Sequence, residues 1–381
     1  MKTNFTAMPW SGSLAAGLLT LCAAIPAHAG PILNGFTHNN VIASTVPGNG
    51  DVNPYGMAQV KHSIGNLTAG HILISNFNNS SNDQGTGTTI VDIAPDGTQA
   101  LFAALDASSL PGPCPGGLGL TTALVVLNEG WVIVGSLPTS DGTSMTARAG
   151  CLIVLNNVGQ PVETISGSLI KGPWDMAAME SANEAKLFVT TVLNGTVGAK
   201  GHVVNEGTVV RVDLGLSGTS VPVLESLTVI GSGFSERTDP AALVLGPTGV
   251  ALSAACNSGD ASCVRGLRLY VADTLNNRIT VIPEPLVRMS SSGTGAVLSS
   301  GGSLNAPLGL VVAEESGHLL TVNGADGYIT EINSAGTQVA KKLIDSSGSP
   351  PGAGALFGLV FDPARGIYYV DDATNTMNRL H

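Results

Sequence analysis

From residue 52 to the C-terminus, short apolar runs alternate with polar segments rich in Gly, Asn, Asp, Ser and Thr. Six β-rich runs stand out: His71 to Ser75, Trp131 to Gly135, Lys186 to Thr190, Leu267 to Ala272, His318 to Val322 and Ile367 to Val370. Their length and flanking turn residues predict strands. An earlier strand precedes each, as in Gly309 to Val312 and Gly358 to Phe361, across polar turns such as Glu314 to Gly317 and Asp362 to Gly366. A third strand follows: Thr88 to Ile93, Cys151 to Leu155, Thr208 to Val212, Arg278 to Ile282 and Tyr328 to Ile332. Hairpin turns such as Pro95-Asp96-Gly97 then lead to a fourth, for example Thr98 to Phe102.

A Pro-x-Gly element recurs ahead of the first strands. It reads Pro54-Tyr55-Gly56, Pro115-Gly116-Gly117, Pro173-Trp174-Asp175, Pro247-Thr248-Gly249 and Pro307-Leu308-Gly309, with Leu356-Phe357-Gly358 as a degenerate sixth copy. The steps of 61, 58, 74, 60 and 49 residues imply a repeated unit with loops of variable length. Four strands in each of six units predict an all-β protein, a six-bladed β-propeller of four-stranded antiparallel blades. A β-helix or two stacked sandwiches are the competing arrangements. The last unit ends on its third strand, Met377 to Leu380, and the segment Ile32 to Thr45 belongs to no unit. That segment is expected to supply the missing fourth strand and close the ring, removing exposed edges.

Composition agrees. Of 381 residues 49 are Gly and only 11% are charged, which disfavours long amphipathic helices and disorder. The net charge of −11 argues against nucleic acid as a partner, since phosphate contacts need clustered Lys and Arg. Residues 1–29 carry Lys2, an apolar run from Leu14 to Ile25 and an Ala27-His28-Ala29 ending, the pattern of a cleaved secretory signal. The run is too short to span a bilayer. The mature chain, residues 30–381, is expected to be one propeller domain, secreted or periplasmic, monomeric and without a transmembrane segment. Its four cysteines are then expected as disulfides. Cys114 precedes a first strand and Cys151 opens a third strand on the same face; Cys256 and Cys263 share one hairpin on the other. The expected bridges are Cys114–Cys151 and Cys256–Cys263.

The segment Leu269-Tyr270-Val271-Ala272-Asp273-Thr274-Leu275-Asn276-Asn277-Arg278-Ile279 resembles the NHL repeat, whose core reads Val-Ala-Asp, then Asn and Arg-Ile; Ile367 to Asp372 is a weaker copy. The resemblance implies a six-bladed propeller and no particular activity. The stretch Ser75 to Asn79 with Gln84 to Thr88 is similar to a group of bacterial secreted proteins carrying NHL-like repeats. A more distant resemblance, in blade number, is to gluconolactonase-like propellers, which use an axial metal. Their Glu-Gly-Pro-x-Trp opening is approached only by Lys171-Gly172-Pro173-Trp174, with Lys in place of the metal-binding Glu.

In such a ring the entry to each first strand and the loop between second and third strands share one face, here the top. The top loops of the first three units, 76–87, 136–150 and 191–207, are long, and those of the last three are short. This predicts a wall on one side of the top, where binding usually lives on a rigid scaffold. Phe77, Asn78, Asn79, Trp174 and His202 are the candidate ligand contacts. Their partner would be a protein, a small molecule or a carbohydrate. Asn76, Asp175, Asp273, Asn323 and Asp371 recur near the axial mouth and could hold Ca²⁺ or Zn²⁺; the same residue types also cap turns. Two functions therefore stand side by side. One is a binding or scaffold module working through the top face. The other is a metal-dependent hydrolase or lyase at the axial mouth. No catalytic residue is singled out, because the Gly-x-Ser-x-Gly, His-Glu-x-x-His and phosphate-loop patterns are all missing.

Overall fold

The computed structural model describes residues 1–2, 30–253 and 261–381, with backbone only at 261–263. The expected signal segment, and the expected Cys256–Cys263 bridge, lie outside the described residues.

Strand β1 (Asn39–Ser44) comes first. Blade I then holds β2 (Val52–Gln59), β3 (Ile72–Asn78), β4 (Thr89–Ile93) and β5 (Gln99–Ala104). Blade II holds β6 (Leu120–Val126), β7 (Val132–Ser136), β8 (Cys151–Leu155) and β9 (Pro161–Ile165). Blade III has five strands, β10 (Gly172–Glu180), β11 (Glu184–Val192), β12 (Val204–Ser217), β13 (Ser220–Asp239) and β14 (Leu243–Leu245), with a helical turn α1 (Thr196–Ala199) between β11 and β12. Blade IV holds β15 (Pro247–Leu252), β16 (Arg268–Asp273), β17 (Arg278–Pro283) and β18 (Ala296–Ser300). Blade V holds β19 (Pro307–Ala313), β20 (His318–Asn323), β21 (Tyr328–Ile332) and β22 (Gln338–Leu343). Blade VI holds β23 (Leu356–Asp362), β24 (Gly366–Asp371) and β25 (Thr376–Leu380), completed by β1.

The result is an all-β ring of six antiparallel blades. Closure is made by β1, which pairs with β25 from Asn39 opposite Leu380 to Ser44 opposite Thr376. The segment before β1 is fastened elsewhere. The Ile32 and Leu33 amides donate to the two carboxylate oxygens of buried Glu331 in blade V, both at 2.9 Å.

Much of the core lies between blades. Second strands such as β3, β7, β20 and β24 are buried at every residue, because each is covered on both faces by neighbouring sheets. Leu73, Ile90, Val132 and Ile153 join blades I and II; Leu320, Val322, Leu356 and Tyr369 join V and VI.

The Pro-x-Gly element is a bulge inside each inner strand rather than a turn before it. Pro307 faces Asn323, but Leu310 faces Thr321, so β19 carries one extra residue, and β2, β10, β15 and β23 do the same. The glycine sits where the next blade's backbone arrives. A Cβ on Gly309 would stand 2.1 Å from the Phe357 carbonyl oxygen, and one on Gly358 2.3 Å from that of Tyr55. In blade II the repeat is out of phase with the sequence reading. The inner strand opens at Leu120, opposite Ser136, and Thr121-Thr122 occupy the bulge. Pro115-Gly116-Gly117 instead belongs to the loop that leads in from Cys114. The 74-residue step of the third unit is the extended β12–β13 hairpin plus β14.

Cys114 and Cys151 are bonded, with Cα atoms 5.1 Å apart, closing a loop over a separation of 37 residues. Among the described residues, no helix is long and apolar enough to cross a membrane.

Candidate binding face and axial chamber

The long top loops of three blades are bonded into one wall. The Gln84 side chain, between β3 and β4, donates to the Pro240 carbonyl in blade III at 2.9 Å. The Thr139 hydroxyl, between β7 and β8, donates to the Gln84 carbonyl and accepts from the Gly142 amide. The helical turn Ser144–Thr146 packs on α1. His202, Val203 and Met145 stand exposed on this wall, the last two at 55% and 49%.

The wall also folds over the axis, which the sequence reading left open. Each bulge points its middle residue at the top of the channel, and four of these residues are large and apolar. Tyr55 stacks on Phe357 (4.0 Å between ring centroids), on Phe77 (4.6 Å) and on Trp174 (6.1 Å), with Leu308 beside them. Leu193, Leu243 and Val244 close over this group, and the Trp174 indole donates to the Val244 carbonyl at 3.3 Å. Leu193 and Leu243 hold left-handed backbone, φ 72° and 60°, at a conformational cost of about 1–3 kcal/mol each. The packed cluster offsets it.

This decides where the candidate ligand residues fall. Phe77 and Trp174 are buried in the plug. Asn78 is buried, and its amide donates to Asn82 Oδ1 at 2.7 Å. Asn79 shapes its own loop: its Oδ1 accepts from the Ser81 and Asp83 amides. Of the five, only His202 lies out on the wall.

The candidate metal residues are also separated. Four occupy one repeated position, opposite the start of the inner strand, and each ties down its own surroundings. Asn76 donates to the Thr45 carbonyl at 3.1 Å. Asp273 accepts from Asn276 at 2.9 Å and from Arg278 Nε at 2.6 Å, so the NHL-like motif closes its own loop. Asn323 donates to the Ser303 carbonyl and accepts from the Asn305 amide. Asp371 accepts from the Thr374 amide at 3.1 Å. No hydrogen bond joins any two of the five. Among the described residues, no three His, Cys, Asp or Glu side chains form a metal-holding group.

Asp175 lies below the plug, in the bulge position that glycine fills in other blades. Its carboxylate accepts from the Met176 amide at 2.8 Å and, across the blade junction, from the Val250 amide at 3.1 Å. Burial pushes its pKa up to about 7 against those two bonds. Beneath it the axis opens into a chamber of about 540 Å³ that faces the bottom of the ring.

Two further carboxyls stand out, of which Glu236 was missed by the sequence reading. Glu236, on β13 beside the β11–β12 loop, is fully buried; Oε1 accepts from the Asn194 amide at 2.9 Å and Oε2 has no partner. Burial, then the nearby Glu206, raises its pKa to about 8. Asp372 is raised to about 7 by burial and by Asp371. Glu236 has no local sequence signal, whereas Asp372 ends the weaker NHL-like copy. The plug did have one, in the bulky middle residues of the Pro-x-Gly copies.

Comparison with family models finds no match, and comparison with curated proteins finds none either. Solved structures do resemble the ring. A calcium-binding protein, regucalcin, from Agrobacterium tumefaciens aligns with a TM-score of 0.55 at 14% identity, over 91% of this chain and 93% of that one. A putative oxidoreductase (glucose dehydrogenase) from Thermus thermophilus aligns at 0.53 and 14% identity, over 90% and 99%. A luciferin-regenerating enzyme aligns at 0.51 and 10% identity, over 90% and 94%. At these identities the likeness concerns the fold.

Proposed function

We propose that the chain is an exported binding or scaffold propeller that engages a protein or carbohydrate through the wall on its top face. The observation that carries this reading is the bonding of loops from blades I, II and III into one surface, on which Met145, His202 and Val203 project. Ordered loops lower the entropic cost of binding, and exposed apolar side chains rimmed by polar ones suit a partner. Catalysis at the axial mouth has less support, because aromatic and aliphatic side chains fill that mouth. Export is supported by the signal-like residues 1–29 and by the Cys114–Cys151 bridge.

The test compares wild type with the double variant His202→Ala, Val203→Asp. Both are offered a glycan array and the exported proteins of the source cells, and the metal content of both is measured. Binding by wild type that the variant loses supports the proposal. Equal binding by both, or a tightly held metal ion with turnover of lactones or esters, overturns it.

A further inference from the structure

The axial chamber is walled by all six inner strands and ends inward in a space of about 70 Å³ under the plug. Side chains of Met57, Leu124, Met176, Val250, Leu310 and Leu359 line both parts, while polar atoms make up about half of the surface of the wide part and most of that at the inner end. The polar side chains at the inner end are Asp175 and Thr122. Thr122 is 4% exposed, and its hydroxyl has no hydrogen-bond partner. Blade II carries three residues, Thr121 to Ala123, where the other inner strands carry two, so Thr122 belongs to an enlarged bulge. Such a buried, unpaired group costs about 1–3 kcal/mol unless something bonds to it.

The chemistry at this end is that of an acceptor. The carboxylate brings negative charge, and the two amides that bond it leave lone pairs free. At the mouth, Glu180 and Glu314 outnumber Lys61. The chain as a whole carries −11. Met, Leu and Val side chains along the tube, an acceptor at its closed end and acids at its open end favour a cation on a hydrocarbon stem. From Asp175 to Glu180 the strand runs roughly 16 Å, at about 3.3 Å per residue. An unbranched chain can therefore lie along it.

We propose that the chamber binds an unbranched aliphatic amine that enters from the bottom face. Its ammonium meets Asp175 and Thr122, and its methylenes lie against Met57, Met176, Leu310 and Leu359. The site is on the opposite face from the wall, so it stands or falls independently of the binding function proposed above. Across the chamber Asp175 faces Met57, Thr122, Val250, Leu310 and Leu359 from the other five blades, none of which titrates. The charged groups at the mouth lie at the far end of the strands. Binding should therefore follow ionisation of Asp175 and weaken as pH falls, about tenfold from pH 8 to pH 6.

The test is calorimetry on the exported protein with 1-aminooctane, 1-octanol and octanoate, at pH 8 and pH 6. The expected result is one saturable amine site per chain, octanol at least tenfold weaker and no octanoate binding. Asp175→Asn and Thr122→Val should each weaken the amine, Asp175→Asn by tenfold or more, while His202→Ala leaves it unchanged. If Asp175→Asn does not fold, the head-group series, the pH dependence and Thr122→Val decide. No saturable amine binding, equal affinity for amine and octanol, or amine affinity that ignores both substitutions would overturn the proposal.

Discussion

Replacing Glu236 by Gln should stabilise the protein at pH 8 far more than at pH 5. The carboxyl is fully buried, and its Oε2 lacks a partner. In the folded chain its pKa is pushed up to about 8, against an ordinary 4.5. Between those values the unfolded chain has released this proton while the folded chain keeps it. The folded state then binds more protons, so stability falls as pH rises, and above about pH 8 the full penalty is present. A difference of 3.5 pH units at about 1.36 kcal/mol each makes that penalty on the order of 5 kcal/mol. Gln keeps the acceptor for the Asn194 amide and cannot ionise. Asp175 and Asp372 titrate in the same sense in both proteins and cancel in the comparison. The assay is urea unfolding of both proteins at pH 5, 6, 7 and 8 with the disulfide intact. The stability difference should grow by about 4 kcal/mol from pH 5 to pH 8. A difference that stays constant with pH would refute the assignment of a protonated Glu236 beside Asn194.

Two further predictions concern the ring itself. Gly309→Ala places a Cβ 2.1 Å from the Phe357 carbonyl, which cannot yield without parting blades V and VI. It should cost about 3 kcal/mol or more in thermal unfolding, while Gly198→Ala, with nothing within 4 Å, should be near neutral; equal effects at the two sites would remove the blade-contact explanation. Cys114→Ser should cost about 4 kcal/mol by freeing a 37-residue loop in the unfolded chain, read as a lower urea midpoint with unchanged circular dichroism. An unshifted midpoint would show that the bridge contributes little to stability.

Local pattern alone determined much of this protein. The second strands are legible because burial on both faces demands continuous apolar runs, as in β3 and β24. The role of β1 followed from counting, since the last unit lacked a strand and residues 32–45 had no unit. The Cys114–Cys151 bridge followed from placing both residues on one face. Blade II was misphased because its bulge carries Thr121-Thr122, and the nearest Pro-Gly signal lies in another loop. What only the tertiary structure decided is the use of the axis. Tyr55, Trp174, Leu308 and Phe357 come from four blades and meet only when the ring closes. Glu236 is buried because the end of β13 meets the β11–β12 loop at Asn194, and Asp175 faces a chamber because β10 is one wall of six. A strand's burial pattern is set by its immediate neighbours in the sheet. A site on the axis is made of single residues from separate repeats, and no local stretch of sequence contains it.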